Sequence, residues 1–103
     1  MQNFIDLNGA SGIAYRFRIL PEGAGHLPIA GNYVIVREEA EGFTVLLVGA
    51  TDDLSQARND WSRVAELGPT HIFTRLNVAR ATRTAEHADL AAGYKPALAT
   101  DGA

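Results

Sequence analysis

Cysteine is absent from this chain of 103 residues, which removes disulfides, thiolate metal sites and Cys-based redox chemistry together. A chain without cysteine suits a reducing compartment. Long apolar runs are missing as well. The longest, Val45 to Val48, is the size of a strand and far short of a membrane span. The first residues, Met1-Gln2-Asn3-Phe4-Ile5-Asp6, lack a basic stretch followed by an apolar one and do not read as a signal peptide. The expected location is therefore cytoplasmic, with no membrane partner. A basic excess is also lacking: the net charge is −3, whereas non-specific nucleic-acid binders draw most of their affinity from phosphate neutralisation by a cationic surplus. No serine triad, P-loop or dinucleotide fingerprint occurs, and Gly23-Ala24-Gly25 has no strand-to-helix context around it.

What is present describes one globular domain spanning 1–103. An apolar share of 47% is ordinary for a chain that buries a core. Phe4 to Leu7 reads as a short strand. Asn8 to Gly12 is rich in residues that tolerate positive φ and reads as a turn, and Ala14 to Leu20 alternates Tyr15, Phe17 and Ile19 against Arg16 and Arg18. Residues 1–20 are thus expected to form an N-terminal β-hairpin, followed by a loop from Pro21 to Ala30 with two prolines and two glycines.

The core is expected over 31–96. Asn32 to Arg37 and Phe43 to Val48 are β-branched and apolar, joined by the acidic turn Glu38 to Gly42, so they predict an antiparallel pair buried on both faces. A helix follows. Asp52 or Asp53 caps its start, Leu54, Ala57, Trp61, Val64 and Ala65 share one face, and Gly68-Pro69 ends it. Thr70 to Val78 predicts a strand. Thr82 to Ala92 predicts a second helix whose inner face is Ala81, Ala85, Ala88 and Ala92, capped by Gly93 and stopped by Pro96. Residues 97–103 are expected to be a flexible tail. The fold class is α+β, a small, mostly antiparallel central sheet with two packed helices.

Five short stretches carry more than secondary structure. They are Tyr15-Arg16-Phe17, Gly31-Asn32-Tyr33, Leu47-Val48-Gly49, Gly68-Pro69-Thr70-His71-Ile72 and Ala88-Asp89-Leu90-Ala91-Ala92-Gly93-Tyr94-Lys95-Pro96. In this order they resemble the GIY-YIG nuclease superfamily, closest to small bacterial and phage-type members that begin with their own hairpin. The resemblance spans about nine-tenths of the chain and agrees with the independent reading of strands and helices.

In that family, two tyrosines, an arginine on the first helix and a glutamate on the second carry the reaction. The resemblance implies that the glutamate holds one divalent metal, a tyrosine helps activate water, and the arginine stabilises charge on phosphorus. Only the first tyrosine has its match here, Tyr33. The second falls at Leu47, the arginine at Ala57 and the glutamate at His87, with Arg58 and Glu86 one residue away. Adjacent helical residues point about 100° apart, so a one-residue offset aims the charge elsewhere.

The expectation is a domain with a degenerate nuclease site, no catalytic residue, no metal and no cofactor, kept for binding a nucleic acid or a protein or for self-association through a sheet edge. Arg58, Arg63, Arg75 and Lys95 are the candidate nucleic-acid contacts. The alternative is a divergent endonuclease using Tyr33, Arg58 and Glu86 with Mg or Mn. His71 with His87, and Glu86 with His87 and Asp89, are read as ordinary surface or satisfied side chains. Arg75, Arg80 and Arg83 are read as a solvated face.

Overall fold

A computed structural model describes residues 1–102. The chain turns tightly at Gly42, whose φ of +133° lies where only glycine sits without strain. The flanking strands β3 (Gly31–Glu39) and β4 (Gly42–Thr51) pair antiparallel from Gly31↔Thr51 to Glu39↔Gly42. β5 (His71–Leu76) pairs antiparallel with the other side of β3. Beyond it lie β2 (Ala14–Ile19) and β1 (Phe4–Asn8), paired antiparallel with each other. With β6 (Leu98–Asp101) at the far edge, the sheet order is β1-β2-β5-β3-β4-β6.

β3 and β4 are buried on both faces, as their apolar runs require: Gly31 to Val36 and Val45 to Ala50 are all buried. One core layer gathers Leu7, Phe17, Val34, Val36, Phe73 and Leu90. The other gathers Tyr33, Ile35, Leu47, Leu54, Ala57 and Ile72. A bulge between Ile35 and Val36 leaves Leu46 as an extra residue opposite them. Leu46 and Leu47 therefore join one layer, while Val45 and Val48 join the other.

The second layer is closed by a 3₁₀ helix, Leu54–Leu67, long for a type in which i and i+3 side chains eclipse. Its ends follow the sequence signals. Asp53 accepts from the Ser55 N–H at 2.9 Å, and Gly68 takes the left-handed conformation at φ 74°. The first layer is closed by α1 (Arg80–Tyr94), which contributes the fully buried Leu90, worth about 1.5–3 kcal/mol by area alone. The helices thus lie on opposite faces of the sheet.

Three expectations are corrected. Ala81, Ala85, Ala88 and Ala92 are all exposed, and α1 turns Arg83, Leu90 and, in part, His87 and Tyr94 inward. Apolarity misled here because alanine has little area to bury, whereas the longer side chains fill the space above the sheet. The left-handed cap of α1 is Lys95 at φ 46°, not Gly93. Gly93 serves contact instead: a Cβ there would lie 2.8 Å from the Ala10 backbone nitrogen. Finally, 97–103 is not a free tail. Leu98–Asp101 forms β6, parallel to β4 from Leu47↔Leu98 to Ala50↔Asp101, with Leu98 packed against the core. The open edge of β4 supplies the partner that local sequence does not reveal. Ala103 lies outside the described residues. No helix among them is long and apolar enough to cross a membrane.

Candidate functional site

Gly31-Asn32-Tyr33 and Leu47-Val48-Gly49 sit on adjacent antiparallel strands, with Tyr33 directly opposite Gly49. The Tyr33 ring lies over Gly49 so closely that a Cβ there would be 2.2 Å from the ring. Gly31 has a similar role, since a Cβ would meet the Arg75 carbonyl oxygen at 2.2 Å. Asn32 is fully buried between them. Its side-chain amide donates to the Arg83 carbonyl at 3.1 Å, and its oxygen accepts from the Asn77 amide at 2.9 Å. Arg83 in turn donates to the Asn77 and Val78 carbonyls. This buried network ties the β5–α1 connection to the centre of the sheet. Arg83 is therefore no member of a solvated basic face.

Tyr33 is 4% exposed and donates its hydroxyl hydrogen bond to Asp60 on the 3₁₀ helix. Burial first, and the Asp60 carboxylate second, push its phenol well above the usual tyrosine range. At neutral pH it is a hydrogen-bond donor rather than a base. Leu47 and Ala57 join Tyr33 in the same core layer. A shallow cavity of about 260 Å³ opens beside them, lined in part by Tyr33, Ala57, Asp60 and Thr100. His87 does not join them. It lies on α1, across the sheet, with its Nε2 buried and unpartnered among the described residues.

Glu86 also lies on α1. It accepts from Arg75 Nε at 2.8 Å and from the Asn77 amide at 3.0 Å. Arg58, on the opposite side, donates to the Pro21 carbonyl at 2.6 Å and the Ala24 carbonyl at 3.1 Å. Tyr33, Arg58 and Glu86 therefore do not converge, because the sheet separates the glutamate from the other two. The four candidate nucleic-acid contacts are also dispersed. Arg58 holds a loop, Arg63 pairs with Asp60 at 3.4 Å, Arg75 pairs with Glu86 and packs over the Tyr15 ring, and Lys95 caps α1. No group of three His, Asp or Glu side chains among the described residues is arranged to hold a metal ion.

Asp89 is not a solvated helix residue either. Its carboxylate accepts from the Ser11 N–H at 2.8 Å, the Ser11 hydroxyl at 2.6 Å and the Tyr15 hydroxyl at 2.6 Å. The Ser11 hydroxyl, then Tyr15, hold its carboxyl below the usual aspartate range. Tyr94 accepts from the Asn8 N–H at 3.2 Å, and the Ala10 N–H reaches the Asp89 carbonyl at 3.0 Å. The Asp89-to-Tyr94 stretch thus docks the β1–β2 turn onto α1.

An open groove lies on the sheet face that carries the 3₁₀ helix, and a second, of about 580 Å³, lies beside Glu22, Arg58, Trp61 and His71. That helix packs on β3 and β4, and the face of β1 and β2 is left to the 21–29 loop. The first groove has a volume of about 470 Å³ and is lined by Phe4, Arg16, Arg18, His26, Leu27 and Leu76, among others. A lateral row runs from it to the core: Phe4↔Arg18, Arg18↔Thr74, Thr74↔Tyr33 and Tyr33↔Gly49. Phe4, Leu27 and Leu76 are 48%, 68% and 61% exposed, so the groove presents apolar area to water. Arg16 pairs with Asp6 at 3.0 Å, whereas Arg18 has no hydrogen-bond or ion-pair partner among the described residues.

No protein-family model, curated protein or solved structure matches the chain.

Sequence reading missed the groove for two reasons. Phe4 and Leu76 fall within predicted strands, where an apolar side chain carries no functional signal, and the 21–29 loop gave no chemical motif. The one available signal was Arg18, a cation in a strand with no acid opposite it: its partner in register is Phe4.

Proposed function

We propose that this chain is a non-catalytic binding module on a GIY-YIG-like scaffold, with a core over 31–96 preceded by an N-terminal hairpin. The scaffold reading is supported by the five ordered motifs and by the apposition of Tyr33 with Gly49, where the two halves of the family signature would meet. The loss of chemistry is supported by one observation above all. Tyr33 is buried and bonded to Asp60, while Glu86 and His87 lie across the sheet from it. Phosphodiester cleavage needs its base, its metal carboxylate and its cation around one phosphate. Here the candidate groups are apart and each charged one is engaged by the fold.

The partner under this reading is a protein or a nucleic acid held without turnover. Incubation of the full chain with supercoiled plasmid and with single-stranded RNA, in Mg²⁺ and in Mn²⁺, is expected to leave both intact. Cleavage that disappears in Glu86→Gln or Tyr33→Phe would overturn the proposal.

A further inference from the structure

We infer that the groove between β2, β5 and the 21–29 loop binds a short, extended, acidic peptide segment, with a carboxylate on Arg18 and an apolar side chain among Phe4, Leu27 and Leu76. The inference rests on the binding-module reading and names the partner class.

Charge comes first. No carboxylate lines the groove, which carries Arg16, Arg18, Arg75 and His26. Arg18 is the cation there with no partner among the described residues, and a guanidinium favours a carboxylate in a two-point contact. The rest of the chain has the opposite sign on balance, with twelve acids against nine Lys and Arg. The groove is thus a cationic spot on an acidic protein, which steers and orients an acidic partner.

Backbone geometry comes second. β2 and β5 pair only at Arg18↔Thr74 and Ile19↔Phe73. β2 runs on to Ala14 and β5 to Leu76, and the strands diverge. The Arg75 guanidinium reaches the Arg16 carbonyl at 3.3 Å near this split. An extended chain suits such a place, where β2 and β5, paired on their other sides with β1 and β3, each leave one edge without a strand neighbour.

The groove is also built in advance. Arg58 holds the loop at the Pro21 and Ala24 carbonyls, and the Leu54 N–H donates to the Ile29 carbonyl at 2.9 Å. A preformed wall lowers the ordering cost of binding. Its volume of about 470 Å³ holds a few side chains rather than a domain.

A polynucleotide fits less well. Its affinity grows with the number of phosphates neutralised, and this groove offers one unpaired arginine beside two already paired, Arg16 with Asp6 and Arg75 with Glu86. Three exposed apolar side chains favour an apolar anchor instead.

The test is fluorescence polarisation with the full chain and a fluorescein-labelled peptide bearing a central leucine flanked by glutamates. Saturable binding is expected, weakened roughly tenfold or more by Arg18→Glu and clearly weakened by Leu27→Ala. Both sites are exposed, and circular dichroism checks that both variants fold. A lysine-flanked peptide is expected not to bind. The inference is overturned by no saturable binding, by equal affinity in Arg18→Glu, or by tighter, Arg18-dependent binding of labelled single-stranded DNA. Failure of the peptide with intact plasmid refutes this inference alone, whereas plasmid cleavage refutes the reading beneath it.

Discussion

Gly49→Ala tests the packing that joins the two central motifs. The new methyl would sit 2.2, 2.5 and 2.6 Å from three ring atoms of Tyr33, where ordinary contact begins at 3.4 Å. The ring must retreat by about 1 Å, yet it is wedged in a core layer with Leu47, Leu54 and Ala57 and bonded to Asp60. Overpacking of this kind costs about 1–3 kcal/mol. Weakening a hydrogen bond to a charged group adds to it, with about 1.5–3 kcal/mol as the ceiling. A total near 3 kcal/mol lowers Tm by roughly 12–20 °C for a domain of this length. The measurement is calorimetric melting of the wild type, Gly49→Ala, Tyr33→Leu and the double variant. Once the ring is gone, adding the methyl should cost almost nothing, so the double variant should be far more stable than the sum of the singles implies. Additive losses, or a Gly49→Ala protein that melts within about 2 °C of wild type, would refute the Tyr33–Gly49 apposition.

Two further outcomes follow from other parts of the fold. Asp89 has a lowered pKa in the folded state, so the stability it provides is present above its ordinary value of 3.8 and is lost as pH falls through the folded value. Acid unfolding monitored by circular dichroism should therefore show a smaller loss of stability below that pH in Asp89→Asn, and an identical profile would contradict the docking of Ser11 and Tyr15. Truncation after Ala97 removes β6 and bares the edge of β4, so the shortened chain should melt lower and self-associate more in light scattering. Unchanged melting and size would mean that β6 adds nothing to the sheet.

Much of the fold was legible because its signals are local. Asp53 and Gly68 bracket the 3₁₀ helix as caps do. The positions of Leu54, Ala57 and Val64 marked its buried face, and the unbroken apolar runs of β3 and β4 announced burial on both sides. The candidate site was less legible. Arg58 looked like a cation for a ligand and instead holds the loop carbonyls of Pro21 and Ala24. Asp89 looked solvated and instead anchors a turn 78 positions away. Side chains of this kind are chosen by partners that sequence spacing does not reveal.

By itself, then, the sequence determined strands β1 to β5, the caps of the 3₁₀ helix, the turns and the order of the motifs, because periodicity and capping act within a few residues. Tertiary structure alone decided that the two helices take opposite faces, which puts Tyr33 and Glu86 on different sides of the sheet. It also decided that Leu98–Asp101 joins β4, and that β2 and β5 part to leave Arg18 beside an apolar groove. Each of these depends on surfaces meeting across long stretches of chain, where shape, burial and the pairing of free edges determine the outcome.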